Sequence, residues 1–351
     1  MRPLKYLAAF QIPVVVWVSL LLPGWWSFLA VVHVYGLIPL LDQVLPQSEA
    51  NLSAAEEEAA RSDRLYDLLL YALVPIQVAT LGFYLTLVAG GGLTGVELVG
   101  KTLTMGICSA VLGINLAHEL GHRVNRAERW MAKTLLLTSL NMHFIVEHNL
   151  GHHKRVATEE DPASGRFGES VYRFVIRSMW FSYLSAWEIE RTRRGRRGLP
   201  FWSVRNEMLQ MTGIEVAALG LVAWVLGPAG LAAYVVTGVL AQMQLEIINY
   251  IEHYGLSRRR RDDGRYERVQ AHHSWNSNHA FGRLVLFELT RHSDHHYQAS
   301  RPYPVLRHLE GAPQMPAGYP AMMLLSLLPP VWFSVMNPLA LRVVEGRHEH
   351  A

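Results

Sequence analysis

The stretch Val96-ELVGKTLTMGICSAVLGINLAHELG-His122 decides how the rest of the chain is read. Residues 96–117 carry only two charges, Glu97 and Lys101, and are long enough to cross a bilayer, which takes about 20 mostly apolar residues. The run passes directly into His118-Glu-Leu-Gly-His122, where i, i+4 spacing puts two imidazoles on one helix face, able to bind one ion. A membrane span therefore ends in a metal box. Alone, H-E-x-x-H equally matches a zinc metalloprotease with Glu119 as the base, so the surrounding sequence must decide.

Composition agrees with a membrane class. Of 351 residues 50% are hydrophobic and 17% charged, and mean hydropathy is +0.13, too apolar for an ordinary soluble enzyme. Ten Trp and fourteen Tyr suit the two headgroup layers. Runs of spanning length occur at about 4–22, 25–45, 65–88, 96–117, 209–226 and 231–251. The first is kept as a mature helix, not a signal peptide, because no small-residue cleavage site follows it. The fold expected is an all-α integral membrane protein, one domain over 1–351, with six transmembrane helices and a His-rich di-metal cap from 118–208 and 252–351. A seventh apolar stretch, Trp130 to Val146, would put the His boxes before and after it on opposite faces if it crossed, so it is expected to lie at the interface or dip in and return.

With six spans, the links Pro23–Gly24, Ala89–Gly95 and Gly227–Gly230 fall on one side and contain no Lys or Arg. The other side collects Arg2, Lys5, Arg61, Arg64, Arg123, Arg126, the Arg191–Arg197 run and Arg258–Arg261. By the positive-inside rule that side is the cytoplasm, and every His box faces it. Residues Val171 to Glu190 read as an amphipathic helix on the membrane surface. Met322 to Met336, interrupted by Pro329 and Pro330, is expected to pack on the cap. The net charge of +3, with Arg runs beside apolar segments, gives no reason to expect a nucleic-acid partner.

One Cys excludes a disulfide framework and any Cys-based zinc or iron–sulfur site in this chain, whereas seventeen His are an anomaly of number and of clustering. A second box is Glu147-His148-Asn-Leu-Gly-His152-His153 and a third is Arg291-His292-Ser-Asp-His295-His296, each offering three imidazoles on roughly one helix face. His253 follows at the end of the last span. The candidate metal ligands are thus His118, His122, His148, His152, His153, His253, His292, His295 and His296. Nine imidazoles exceed the needs of one ion and suit two, with Fe, Cu and Zn all compatible. Glu119, Glu147, Asp161, Glu252 and Asp294 are expected to accept the remaining ring N–H groups and hold the imidazoles in one orientation. His272, His273 and His279 lie close enough in sequence to displace one of the nine, while His348 and His350 read as a solvated tail.

The set H-E-L-G-H-R at 118–123, E-H-N-L-G-H-H at 147–153, N-Y-I-E-H-Y-G-L at 249–256 and L-T-R-H-S-D-H-H at 289–296 resembles the integral-membrane alkane 1-monooxygenases, of the membrane fatty acid desaturase/hydroxylase superfamily. The third of these motifs separates that family from the desaturases. Supporting stretches are Glu160-Asp-Pro-Ala163, His273-Ser-Trp-Asn-Ser277 and Arg301-Pro-Tyr303, and the resemblance runs from about Tyr35 to Pro304. The family usually has Gln where Thr290 stands and often Lys where Arg123 stands.

The resemblance implies two iron ions, O2 as oxidant, terminal hydroxylation of medium-chain n-alkanes, and electrons from a reduced rubredoxin served by a rubredoxin reductase. It also implies the bacterial inner membrane, with the active site on the cytosolic side. Fused rubredoxins carry two C-x-x-C pairs, so with one Cys the donor is expected to be a separate protein. Val34, Leu37 and Ile114 are candidates for the end of an alkane channel. Arg258, Arg259, Arg260 and Arg261, or the 191–197 run, are candidates for docking an acidic donor, with lipid headgroups as the rival occupant. The competing functions are a related xylene or acyl hydroxylase or desaturase, a zinc membrane protease, which leaves seven of the nine His unexplained, and a metal transporter, for which the His lie at the wrong depth.

Overall fold

The computed structural model describes residues 3–349, with side chains to 346, and is helical throughout, with no strand among the described residues. Arg2, His350 and the side chain of His348 lie outside that range. Five helices are long and apolar enough to cross a membrane, and because the last is broken into two arms they provide six apolar segments where six spans were expected. They are α1 (Pro3–Leu21), α2 (Gly24–Val44), α4 (Leu65–Ala89), α5 (Gly95–Gly121) and the two arms of α9 (Glu207–His253), while the short α3 (Ala54–Ser62) lies between the second and third. As one straight rod α9 would extend about 70 Å, more than twice the hydrocarbon thickness. It is broken at Gly227, which sits at φ 66° and ψ −170° before Pro228, a turn that needs glycine's freedom at positive φ.

The chain divides into two compact units. The first comprises residues up to 33, 65–151 and 182–245. Both charges of the opening stretch are used here at the first turns of α5. Glu97 accepts from the Thr94 and Gly24 amides at 2.8 and 2.9 Å. Lys101, 3% exposed, donates to the carbonyls of Ser19, Leu20 and Leu22 at 3.3, 2.6 and 2.9 Å, satisfying the open C-terminus of α1.

The seventh apolar stretch turns back. Helix α6 (Arg126–Thr138) ends before Leu140, at φ 51°, and a new helix, α7 (Phe144–Glu147), follows. Irregular backbone among spans must be satisfied by protein. Gln242 donates to the Ser139 and Leu140 carbonyls at 3.0 and 2.9 Å, Tyr234 to the Leu137 carbonyl, and the Met142 amide to Glu215 at 2.8 Å.

The second unit comprises 34–64, 152–181 and the residues from 246 on. Its core is aromatic. Phe174, Tyr250, Tyr254, Trp275, Tyr319 and Trp332 are all at most 2% exposed and pack in one cluster. Helix α8 (Val171–Gly195), the expected surface helix, contributes Val171, Phe174 and Val175 to this cluster and leaves Tyr172, Ile176, Trp180, Phe181 and Leu184 exposed along its length. Helices α10 (Ala280–Val285) and α11 (His292–Tyr297) follow, and the chain ends in α12 (Tyr319–Ser326) and α13 (Pro329–Glu349), bent by 120° at the prolines.

Candidate metal centre

In the first unit the end of α5 carries His118 and His122, whose ring centroids are 4.9 Å apart. His148, just after the 144–147 helix, has its ring 4.4 Å from that of His118 and 5.1 Å from that of His122. Phe144 stacks on His148 at 4.6 Å and tilts over His118 at 6.2 Å, an apolar wall for this triad. Glu119 accepts two hydrogen bonds from Arg123, at 2.7 and 3.1 Å, and Glu147 accepts one from Ser185 at 3.3 Å. Helical spacing predicts one face for His148, His152 and His153. The backbone over His148–His152 is instead a wider π-helical turn, a feature frequent at functional sites, and it redistributes these rings.

In the second unit four imidazoles converge. The ring nitrogens of His152, His253, His292 and His296 lie within 4.8 Å of one another, and all four residues are buried. His292 is the hub, with its Nε2 3.2 Å from His253 Nε2 and 2.9 Å from His296 Nε2. His153 and His295 form a neighbouring pair, Nε2 to Nε2 at 3.0 Å.

Asp161 holds the tetrad's first member. Its Oδ2 accepts the His152 Nδ1–H at 2.9 Å and the Ser164 hydroxyl at 2.6 Å, and its Oδ1 accepts the Ala163 amide at 3.2 Å. Burial pushes this carboxyl up, but His152 and Ser164 outweigh that and hold it below its usual range. The loop is fixed from outside by Arg177, which donates to the Pro162 and Ser164 carbonyls at 3.0 Å and pairs with Glu169. Glu252 has its Oε2 3.2 Å from His292 Nε2. Asp294 turns to arginines, accepting a hydrogen bond from the Arg307 amide at 2.8 Å and forming an ion pair with Arg301, whose Nε lies 3.1 Å from Oδ2.

The donor set fits a soft-to-intermediate divalent ion. Adjacent ligands on a six-coordinate ion with bonds of about 2.1 Å stand about 3.0 Å apart, close to the Nε2 separations of 2.9 and 3.2 Å. Burial and the neighbouring imidazoles push His296 well below its ordinary pKa, so its ring presents a lone pair and no charge. A cation reconciles several lone pairs aimed at one point, and all-imidazole ligation suits Fe, Cu or Zn.

Glu267, His272 and His273 also lie close together. His273 Nδ1, however, accepts from the Gln270 amide at 2.9 Å, so the neutral ring carries its proton on Nε2, which faces Glu267 at 3.2 Å. This is a hydrogen-bonded tie and a poor metal site. His279 faces Ser277 and Gln47. Val34 and Ile114 are buried, and Leu37 is 44% exposed. Arg258 is committed to the Glu267 and Lys154 carbonyls, Arg259 is half-buried, and Arg260 and Arg261 are exposed. Sequence reasoning missed Tyr319, which donates to Glu252 Oε1 at 2.8 Å. Separated from Glu252 by more than sixty positions, it carries no local signal.

Known proteins bear on this arrangement. The family model for fatty acid desaturases matches residues 94–326. The alkane 1-monooxygenase 1 of Pseudomonas aeruginosa is 42% identical, over 90% of this chain and 83% of that protein. The alkane 1-monooxygenase of Ectopseudomonas oleovorans is 40% identical, over 90% and 79%. The hydroxylase component of a Pseudomonas putida xylene/toluene monooxygenase is 28% identical, over 93% and 85%. Identity of about 40% sustained across 90% of the chain makes it a member of the alkane 1-monooxygenase family and a monooxygenase.

Proposed function

We propose that this protein hydroxylates the terminal carbon of medium-chain n-alkanes with O2 at two irons held by its nine imidazoles. The observation that carries the reading is the buried tetrad His152, His253, His292 and His296, which is suited to one ion. The other five of the expected nine, His118, His122, His148, His153 and His295, are left for the second. The overall conversion, RH + O2 + 2 electrons + 2 protons to ROH + H2O, needs an electron source. That source is a separate rubredoxin, reduced by its reductase.

When bound, the irons supply the redox chemistry that activates O2 for insertion into an unreactive C–H bond. The chain's own residues orient and insulate. Asp161 keeps the proton of His152 on Nδ1, so Nε2 is the atom presented to an ion. Phe144 lays its ring on His148 and keeps water from the triad. An alkane dissolved in the bilayer reaches the site between spans, with burial contributing about 0.8 kcal/mol per CH2. Val34, Leu37 and Ile114 are the proposed limit on its length. The basic residues on one side of the spans support a centre at the cytosolic face of the inner membrane, where exposed Arg260 and Arg261 are available to an acidic donor.

Product analysis tests this. Purified protein supplied with octane, O2, rubredoxin and reductase should yield 1-octanol in step with electron consumption. Secondary alcohols as the main product, or no turnover from an iron-loaded preparation, would defeat the terminal-hydroxylase reading.

A further inference from the structure

We propose that Tyr319 is a positioning residue of the metal centre, its hydroxyl fixing the Glu252 carboxylate against His292, the hub of the tetrad. The proposal rests on the reading of the tetrad as a metal site. The relay has two links: Tyr319 Oη donates to Glu252 Oε1 at 2.8 Å, and Glu252 Oε2 lies 3.2 Å from His292 Nε2. All three residues are at most 2% exposed, so water cannot replace a lost partner.

Each link is held from outside. The Glu252 carbonyl accepts the Trp275 amide at 2.8 Å, fixing the backbone of the carboxylate. Tyr319 opens α12 and packs in the aromatic core beside Tyr250, Tyr254 and Trp332. Gly318 before it sits so close to Asp42 that a Cβ there would meet Asp42 Oδ2 at 2.3 Å. The ring is packed on all sides, 1% exposed, and its hydroxyl has no solvent to turn to.

The chemistry explains why such a relay is worth building. His292 Nε2 also faces His253 and His296 Nε2, so a single N–H on that atom could serve only one of these neighbours. A carboxylate fixed at this edge places negative charge beside an ion otherwise surrounded by neutral imidazoles. It offsets the ion's charge in a buried site and makes the tetrad ion electronically distinct. Tyr319 ensures that the carboxylate keeps one orientation.

Mössbauer spectra and chelator competition on iron-loaded protein test the relay, with wild type, Tyr319→Phe, Glu252→Gln and the double variant compared. Tyr319→Phe and Glu252→Gln should each perturb the same iron signal and leave the other unchanged. Each should release that iron about 10- to 100-fold more readily. Because Tyr319 acts through Glu252, the double variant should match Glu252→Gln alone. A Tyr319→Phe protein with wild-type spectrum and iron release overturns the proposal, as do fully additive effects in the double variant. Should Glu252→Gln fail to fold, the Tyr319→Phe spectrum decides by itself. Wild-type protein that binds no iron refutes the metal reading, a result separable from failure of the relay.

Discussion

Replacing Asp161 by Asn tests how tightly the tetrad depends on one carboxylate. In the folded protein its three hydrogen-bond donors, from His152, Ser164 and Ala163, are all buried. An amide of the same shape offers one acceptor and one NH2. With its oxygen at the Oδ2 position, the NH2 meets the Ala163 amide, and a buried donor is left unmatched at a cost of about 1–3 kcal/mol. With the NH2 at the Oδ2 position, His152 must become the acceptor at Nδ1. Its proton then moves to Nε2, the atom the tetrad needs as a ligand. Either way the imidazole loses an anionic partner. The expected loss in iron affinity is about 10- to 100-fold, or about 1.4–2.7 kcal/mol. Chelator competition on purified Asp161→Asn measures it, with Ser164→Ala, which removes one of the three donors, expected to show a smaller effect. Iron affinity within twofold of wild type would refute the claim that this carboxylate orients His152.

Three further outcomes are expected. Gly318→Ala should cost about 1–3 kcal/mol by overpacking against Asp42, seen as a lower thermal inactivation temperature; unchanged stability would mean that Asp42 yields freely. Reversing the charge of Arg260 and Arg261 together should raise the KM for rubredoxin about tenfold and flatten its salt dependence while leaving iron content unchanged, and an unaltered salt response would locate the donor elsewhere. Glu57 is held below its ordinary value of 4.5 chiefly by the hydrogen bond from Arg307. A depressed carboxyl contributes stability that is complete above its unfolded pKa and lost as pH falls through the folded one. Wild type should therefore lose thermal stability on acidification below about pH 4.5 more steeply than Glu57→Gln, and parallel pH profiles would exclude this contribution.

The spans were legible because hydrocarbon imposes length and apolarity on a contiguous run, and Gly227-Pro228 marks its own break. The His boxes were legible for the same reason of contiguity. What escaped the sequence was whatever depends on partners brought in from afar. Helical periodicity groups His148 with His152 and His153, but the wide turn there alters the phase. Asp294 stands between box histidines and was assigned to them, yet Arg301 and Arg307 arrive from a later loop and engage it. Asp161, distant from its box by a short loop, does meet His152. Lys101 interrupts a span without disrupting it because three carbonyls of another helix wait for it.

Iron counted per chain, with octane oxidation measured on the same preparations, tests the central claim most directly. Wild type should hold two irons and form 1-octanol, whereas His296→Ala and His122→Ala, one from each cluster of rings, should each lose iron and fall to background turnover. Wild-type iron content and turnover in either variant would contradict the account.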